Sequence, residues 1–314
     1  MKTCIIIASH IENAIRTRML LKCLDSLINQ TVKIPIYLSI SFGTNIDKEI
    51  FKRLIEKADL IKNKILNIYY EESQTSQFRH IDKVINRIKG EYKYVMFCDD
   101  DDTYDLKRVE KFMIMIEHGI SMCKEDQVFV GGCEISDNIP HSKRFYEYWC
   151  YCIKIDIIIK FMRKIKDNNY DNYIDHIMCD VLFATYLRVL SNRHAFIFMN
   201  DKLYNYNIND YSITGKIEKE LDENKNKIKT IENNFEKYME GLNKHLEKQI
   251  ENNKNNIYFK YVMTQNSFEK ILEFILGDNY KYKNDINKRI IEELKKEYDK
   301  IESLCDILYE LKEN

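Results

Sequence analysis

Net charge is almost absent from this sequence: 49 lysines and arginines stand against 50 aspartates and glutamates, for a formal charge of -1. That balance removes any electrostatic case for a general nucleic-acid binder or a partner of anionic membranes. Long apolar runs are missing too. No stretch approaches the ~20 residues that a membrane-spanning helix needs. The N-terminal run CIIIA is too short for the apolar core of a secretion signal, and no cleavage site follows it. Paired CxxC spacing is lacking among the nine cysteines, an odd number that fits no complete disulfide framework. Cys150 and Cys152 form only a CxC, which in a strand would put both on one face. The cysteines therefore read as reduced, mostly buried thiols of a reducing compartment, and a cytoplasmic location is expected.

Proline is scarce. Both prolines, and six of the eight glycines, lie before residue 216. Beyond that point a Lys/Glu/Asn/Ile mixture carries apolar residues at three- and four-residue spacings, which predicts a helical extension over 216–314. Its helices are expected to pack on the body or on a partner, so it is also a candidate surface for a homo-oligomer. The length allows one large or two modest domains with a sizeable core.

Before residue 216 strand and helix take turns. TCIIIAS is a short continuous apolar run, the mark of a strand buried on both faces. NAIRTRMLLKCLDSLINQ follows with helical spacing. PIYLSISF, ILNIYYEE and YKYVMFCD read as further strands, and KEIFKRLIEKADLIKNK, FRHIDKVINRIKG and LKRVEKFMIMIEHG as the helices between and after them. Gly90 should close the third helix. The alternation predicts an α/β fold with a mainly parallel sheet, whose ligands collect at the carboxyl ends of the strands.

Four consecutive aspartates, Asp99 to Asp102, stand at one such end, after YVMFC. Neighbouring unit charges about 4 Å apart repel by roughly 4 kcal/mol near a protein surface, so something must offset them. Three chemistries compete. A calcium loop would use Asp99, Asp101, Thr103 and Glu110, but Tyr104 stands where the loop's sharp turn wants glycine. A phosphatase of the haloacid dehalogenase type would use Asp99 as nucleophile and Asp101 as general acid, but that motif opens its domain, and here three strand–helix units precede it. The third is a DxD loop holding a divalent cation against a nucleoside diphosphate.

Four ordered segments support the third. IIIASH, CLDSLINQT, GEYKYVMFCDDDD and LYNYNINDYSITG resemble successive segments of the family-2 glycosyltransferases over roughly residues 3 to 215. The resemblance implies a GT-A fold, a Rossmann-like mixed sheet flanked by helices, over 1–215. It implies metal-assisted, inverting transfer of a sugar from a nucleoside-diphosphate sugar to an acceptor hydroxyl on a glycan, protein or small molecule. By the same resemblance Asp101 would ligate Mn2+ or Mg2+, and Asp99 would contact the ribose or the metal's water shell. Asp100 would lie near the nucleotide or solvent, and Asp102 would face the donor sugar or the acceptor. Asp180, in IDHIMCDVLFATYLRVL, stands for the family's general base, with Asp175 in reserve.

Several positions depart from the family's pattern. SISFGTN replaces a pair of aspartates, leaving Ser41 or Ser39 to meet the base with a neutral hydrogen bond. Ser9 and His10 stand at the nucleotide's end of the first strand, with His10 a candidate to stack on the base. Arg79 would pair with the diphosphate. Asn209 falls where some members carry a metal-binding histidine, and asparagine is a weak ligand. Trp149, with Tyr146, Tyr148 and Tyr151, is a candidate platform for a sugar, and Gly131 and Gly132 would let backbone approach the acceptor. The remaining alternative is a degenerate transferase that only binds a nucleotide sugar.

Overall fold

The structure is a computed structural model that describes residues 2–122, 130–135, 147–167, 174–175, 179–191, 196–207, 235–253, 267–276, 280–281, 283–296 and 298–299. Contacts divide the chain into two compact units, Met1–Asn207 and Ile208–Asn314.

The first unit begins with the predicted alternation. Strand β1 (Thr3–Ile11) leads to α1 (Ala14–Ile28), β2 (Ile36–Phe42) to α2 (Asn45–Lys57), β3 (Leu66–Tyr70) to α3 (Gln77–Ile88), and β4 (Tyr94–Phe97) by way of β5 (Thr103–Tyr104) to α4 (Arg108–Met122). Then come β6 (Val130–Ile135), β7 (Cys152–Lys154), α5 (Ile155–Asp167), α6 (Cys179–Ser191) and β8 (Phe196–Asn205). The sheet order is β3-β2-β1-β4-β7-β6-β8-β5. Strands β1 to β4 are parallel, β7 is antiparallel to both its neighbours, and β8 is parallel to β6 and antiparallel to β5. The result is a mixed α/β sheet flanked by helices.

The continuous apolar run of β1 is buried as expected, with Cys4 to Ile7 at most 1% exposed. Each such side chain stabilises the fold by roughly 1.5–3 kcal/mol through burial. Helix α1 starts where it does because the Asn13 side chain accepts the backbone N–H groups of Ile15 and Arg16, both at 3.0 Å. Its buried face, Leu20, Cys23, Leu24, Leu27 and Ile28, recurs at helical spacing against the sheet. Helix α3 ends at Ile88, and Gly90 follows with φ of 87°, a left-handed conformation suited to glycine.

Chain order runs outward from β1 to β3 and then returns past β1 to β4. The order reverses between β1 and β4, and in sheets of this kind the carboxyl ends of the strands at such a reversal are where ligands are held. The motif CLDSLINQT braces the exit from that end. Ser26 Oγ accepts the Tyr104 N–H at 3.1 Å, and Gln30 donates to Asp105 O at 2.7 Å and accepts the Val109 N–H at 3.1 Å.

The second unit contains α7 (Phe235–Asn253), α8 (Phe268–Leu276) and a helical stretch over 288–296. Met239, Leu242, Leu246 and Ile250 form an apolar stripe on α7, and their cluster includes Ile271, Leu272, Leu276, Ile286, Ile290 and Leu294. Among the described residues no helix is long and apolar enough to cross a membrane. The described cysteines, Cys4, Cys23, Cys98, Cys150, Cys152 and Cys179, are buried and free of disulfides. Of the CxC pair, Cys150 ends a short 3-10 turn (Tyr148–Cys150) and Cys152 lies in β7.

Candidate active site

Strand β4 stops at Phe97, and the four aspartates form a turn closed by the Asp102 N–H donating to Asp99 O at 3.2 Å. Because the strand does not continue, the carboxylates do not alternate between two faces; each has its own partners. Asp99 Oδ1 accepts from Gln77 Nε2 at 3.0 Å and from the Tyr148 hydroxyl. Asp100 accepts from Ser9 Oγ at 2.5 Å and from Arg16 Nη2 at 2.6 Å, and Asp101 accepts from Arg16 Nη1 at 3.1 Å. Asp102 accepts from the Tyr204 hydroxyl and the Asn207 N–H, both at 2.7 Å.

One guanidinium, that of Arg16, serves two of the turn's four carboxylates. Burial pushes the Asp99 carboxyl well above its ordinary range, with the Asp102 charge adding to it. Burial lifts Asp100 to about 6 against the pull of Arg16, and lifts Asp102 to about 8 with help from Asp101. Asp102 takes donors at both oxygens, the arrangement of an ionised carboxylate, and these bonds oppose the rise that burial and the neighbouring carboxylates impose.

Asp180 lies in the first turn of α6. Its charge is felt by both Asp99 and Tyr148, so the structure brings it to the acidic turn. An aromatic cluster fixes that approach. Phe183 of α6 packs on Phe97 at the end of β4 (6.0 Å), on Phe161 (4.8 Å) and on Phe78 (5.6 Å), and Phe97 packs on Tyr148 (5.4 Å). Asp175 is placed differently. Arg79 grips both its oxygens at 2.9 Å, Ser76 adds a bond at 3.0 Å, and these partners hold its carboxyl below the usual range. Two residues expected in separate roles are thus engaged with each other.

At the carboxyl ends of β1 and β2 a second network runs inward. His10 Nδ1 meets Ser41 Oγ at 2.8 Å, and Ser41 Oγ meets His80 Nε2 at 3.0 Å. His80 Nδ1 meets Ser39 Oγ at 2.8 Å, and Ser39 donates to Glu71 Oε1 at 3.5 Å. Ser39, Ser41 and His80 are at most 1% exposed, and burial drives the His80 pKa down to about 4.

A sequence model described as "Glycosyl transferase family 2" matches residues 4–192, more than half of the chain. The chain belongs to glycosyl transferase family 2. No curated protein matches it. Among solved structures it is similar to S. aureus TarS 1–349 in complex with UDP, at 12% identity over 96% of this chain and 92% of that one, with a TM-score of 0.47. It spans 37% of a longer S. aureus TarS chain, at 12% identity over 67% of its own length and a TM-score of 0.46. GalNAc-T7 with UDP, GalNAc and Mn2+ is matched at 14% identity over 43% of this chain and 23% of that one, with a TM-score of 0.33.

For this family-2 glycosyltransferase chain the carboxylates of the turn fit a hard divalent cation in charge and donor type. Among the described residues no group of three or more His, Cys, Asp or Glu gathers as a ready-made metal site, so a cation held by two carboxylates would take its remaining ligands from water or phosphate. Other expectations are redirected. Asp100 and Asp102, 5% and 1% exposed, face inward instead of toward nucleotide, solvent or sugar. Ser9 is committed to Asp100, and Ser41 is buried behind His10. Trp149 is 2% exposed and stacks on Tyr204 at 3.9 Å, so it is a core residue and not a sugar platform; Tyr148 and Tyr151 are buried as well. Gly131 and Gly132 lie in β6, where Gly131 pairs with Cys152 of β7 and Gly132 with Phe198 of β8. Asn209 and Tyr146 lie outside the described residues. The sequence reading missed Arg16, Gln77, Tyr204 and His80. Only Arg16 left a local trace, three residues after the capping Asn13.

Proposed function

We propose that this chain transfers a sugar from a nucleoside-diphosphate donor to an acceptor hydroxyl, with inversion at the anomeric carbon and a divalent cation at the acidic turn. The observation that carries the reading is the cluster of four carboxylates, two of them sharing the single guanidinium of Arg16, at the carboxyl end of β4 beside the reversal of strand order. Family membership supports the transferase class over the phosphatase.

Asp99 and Asp101 would hold Mn2+ or Mg2+, which when bound supplies Lewis-acid stabilisation of the departing diphosphate. Tyr148 and Gln77 orient Asp99, and Arg16 orients Asp101. Asp180 takes the proton of the acceptor hydroxyl as its oxygen bonds to the anomeric carbon and the bond from that carbon to the diphosphate oxygen breaks. One turn along the same helix, the buried Phe183 packs on Phe97 at the end of β4 and anchors the helix that carries Asp180. Asp175 is the weaker base, because a carboxylate locked to arginine binds a proton poorly.

The test is a panel of nucleotide sugars, including UDP-linked ones, supplied with Mn2+ and candidate acceptors. One donor should be consumed with release of its nucleoside diphosphate, and the product should carry the inverted anomeric configuration. Binding without turnover across donors and acceptors would favour the degenerate, binding-only alternative; no binding would overturn both.

A further inference from the structure

The network behind His10 has a direction that hydrogen-bond chemistry decides. Five side chains are linked in series, Glu71, Ser39, His80, Ser41 and His10, and each serine has one proton to give. Two complete polarities exist. In one, every donor points toward Glu71, and His10 Nε2 ends as a bare lone pair. In the other, every donor points outward, His10 Nε2–H faces Glu12 Oε1 at 3.6 Å, and the Ser39 lone pairs confront Glu71 Oε1 at 3.5 Å.

The buried end decides between them. Ser39 is fully buried and Glu71 is nearly so, held by Lys83 at 2.5 Å, so facing lone pairs there would repel with little water to screen them. Glu12 at the other end is largely exposed and free to turn into water. The neutral state that a single-proton imidazole requires is assured for His80 by its burial. His10 lies one residue beyond Ser9, the anchor of the acidic turn, at the carboxyl end of β1.

We infer that Glu71, Ser39 and His80 act as positioning residues that lock His10 in its Nδ1–H form, leaving Nε2 as an acceptor for the ring N–H of a nucleobase. The inference rests on the nucleotide-binding reading above. A base with a ring N–H at its pairing edge, uracil or guanine, meets that acceptor with a donor. Cytosine and adenine offer a bare ring nitrogen there and would set two lone pairs against each other. His10 thus selects the base, and it does so through groups that never touch the ligand.

Two measurements on the full chain test this separately. Ring-nitrogen NMR of the ligand-free, 15N-histidine protein at neutral pH should show both His10 and His80 as Nδ1–H, the form that free imidazole disfavours; Gln replacements at each position give the assignments. Ser39→Ala removes the acceptor of His80 Nδ1–H, so both rings should flip to Nε2–H while the fold persists. Calorimetry should then rank UDP and GDP above CDP and ADP for the native protein, with Ser39→Ala weakening the preferred nucleotide about tenfold. An Nε2–H His10 in the native protein, a His10 tautomer unmoved by Ser39→Ala, or equal affinity for CDP or ADP would overturn the inference. If no nucleoside diphosphate binds, the functional reading and the assigned ligand fall together, and the spectra still decide the wiring.

Discussion

Arg16 holds Asp101 at 3.1 Å, so the aspartate expected to meet a metal ion is already paired with a cation of the chain itself. The same guanidinium holds Asp100 at 2.6 Å, 84 residues away in sequence. One arginine is therefore the charge partner of two adjacent carboxylates at the mouth of the sheet.

Replacing that arginine should expose the charge deficit directly. Arg16→Gln leaves Asp100 buried without its ionic partner, and breaking a mostly buried pair costs about 3 kcal/mol or more. Because a divalent cation would relieve the same deficit, added Mn2+ should raise the melting temperature of Arg16→Gln by more than that of the native protein. Equal shifts, measured by calorimetry, would separate Arg16 from the cation's place.

Asp180 and Asp175 should part company on substitution. Asp180→Asn should bind donor normally and lose transfer by about 10²–10⁴-fold, the usual contribution of a positioned base. Asp175→Asn removes a half-exposed ion pair with Arg79, and such pairs contribute about 0–1 kcal/mol. Its turnover should stay within about tenfold of native. Single-turnover kinetics on both variants checks the assignment, and full activity in Asp180→Asn would move the base elsewhere.

His80 predicts an acid weakness with a defined sign. Its folded pKa of about 4 lies below the ordinary 6.5, so the unfolded chain binds the extra proton between those values. The stability tied to neutral His80 is complete above pH 6.5 and is lost as pH falls toward 4, by up to ~3 kcal/mol. Denaturant unfolding at a series of pH values should show this slope in the native protein and a flatter one in His80→Gln. Identical slopes would mean that His80 titrates normally.

Trp149 should behave as core. It stacks on Tyr204, whose hydroxyl holds Asp102, and its carbonyl accepts from the buried Arg108 at 2.7 Å. Trp149→Ala should destabilise the fold by about 3–5 kcal/mol, as large aromatic truncations in cores do. A variant with native stability and a selective loss of acceptor binding would restore the platform role.

The sequence was most legible where one element suffices to identify itself. Runs such as TCIIIAS and YVMFC declare buried strands, and the helical spacing in KCLDSLINQ declares a helix, because each pattern is complete within about ten residues. Strands β5, β6 and β7 are two to six residues long and take their places from pairing with distant partners, which no local period records. The acidic turn was legible as a charge problem. Its solution was not, since Gln77, Arg16 and Tyr204 reach it across 22 to 102 residues of sequence. The inward directions of Asp100 and Asp102 leave no local signal for a related reason: the strand ends at Phe97, and a turn replaces the alternation that a longer strand would impose.

The most direct test of the account is a Mn2+ titration, followed by electron paramagnetic resonance, with a bound nucleoside diphosphate and either the native chain or Asp101→Asn. Protein-bound Mn2+ should appear with the nucleotide, and its binding should weaken at least about tenfold in Asp101→Asn, as the loss of a charged ligand requires. Nucleotide binding that is unchanged by a chelator and by Asp101→Asn would contradict it.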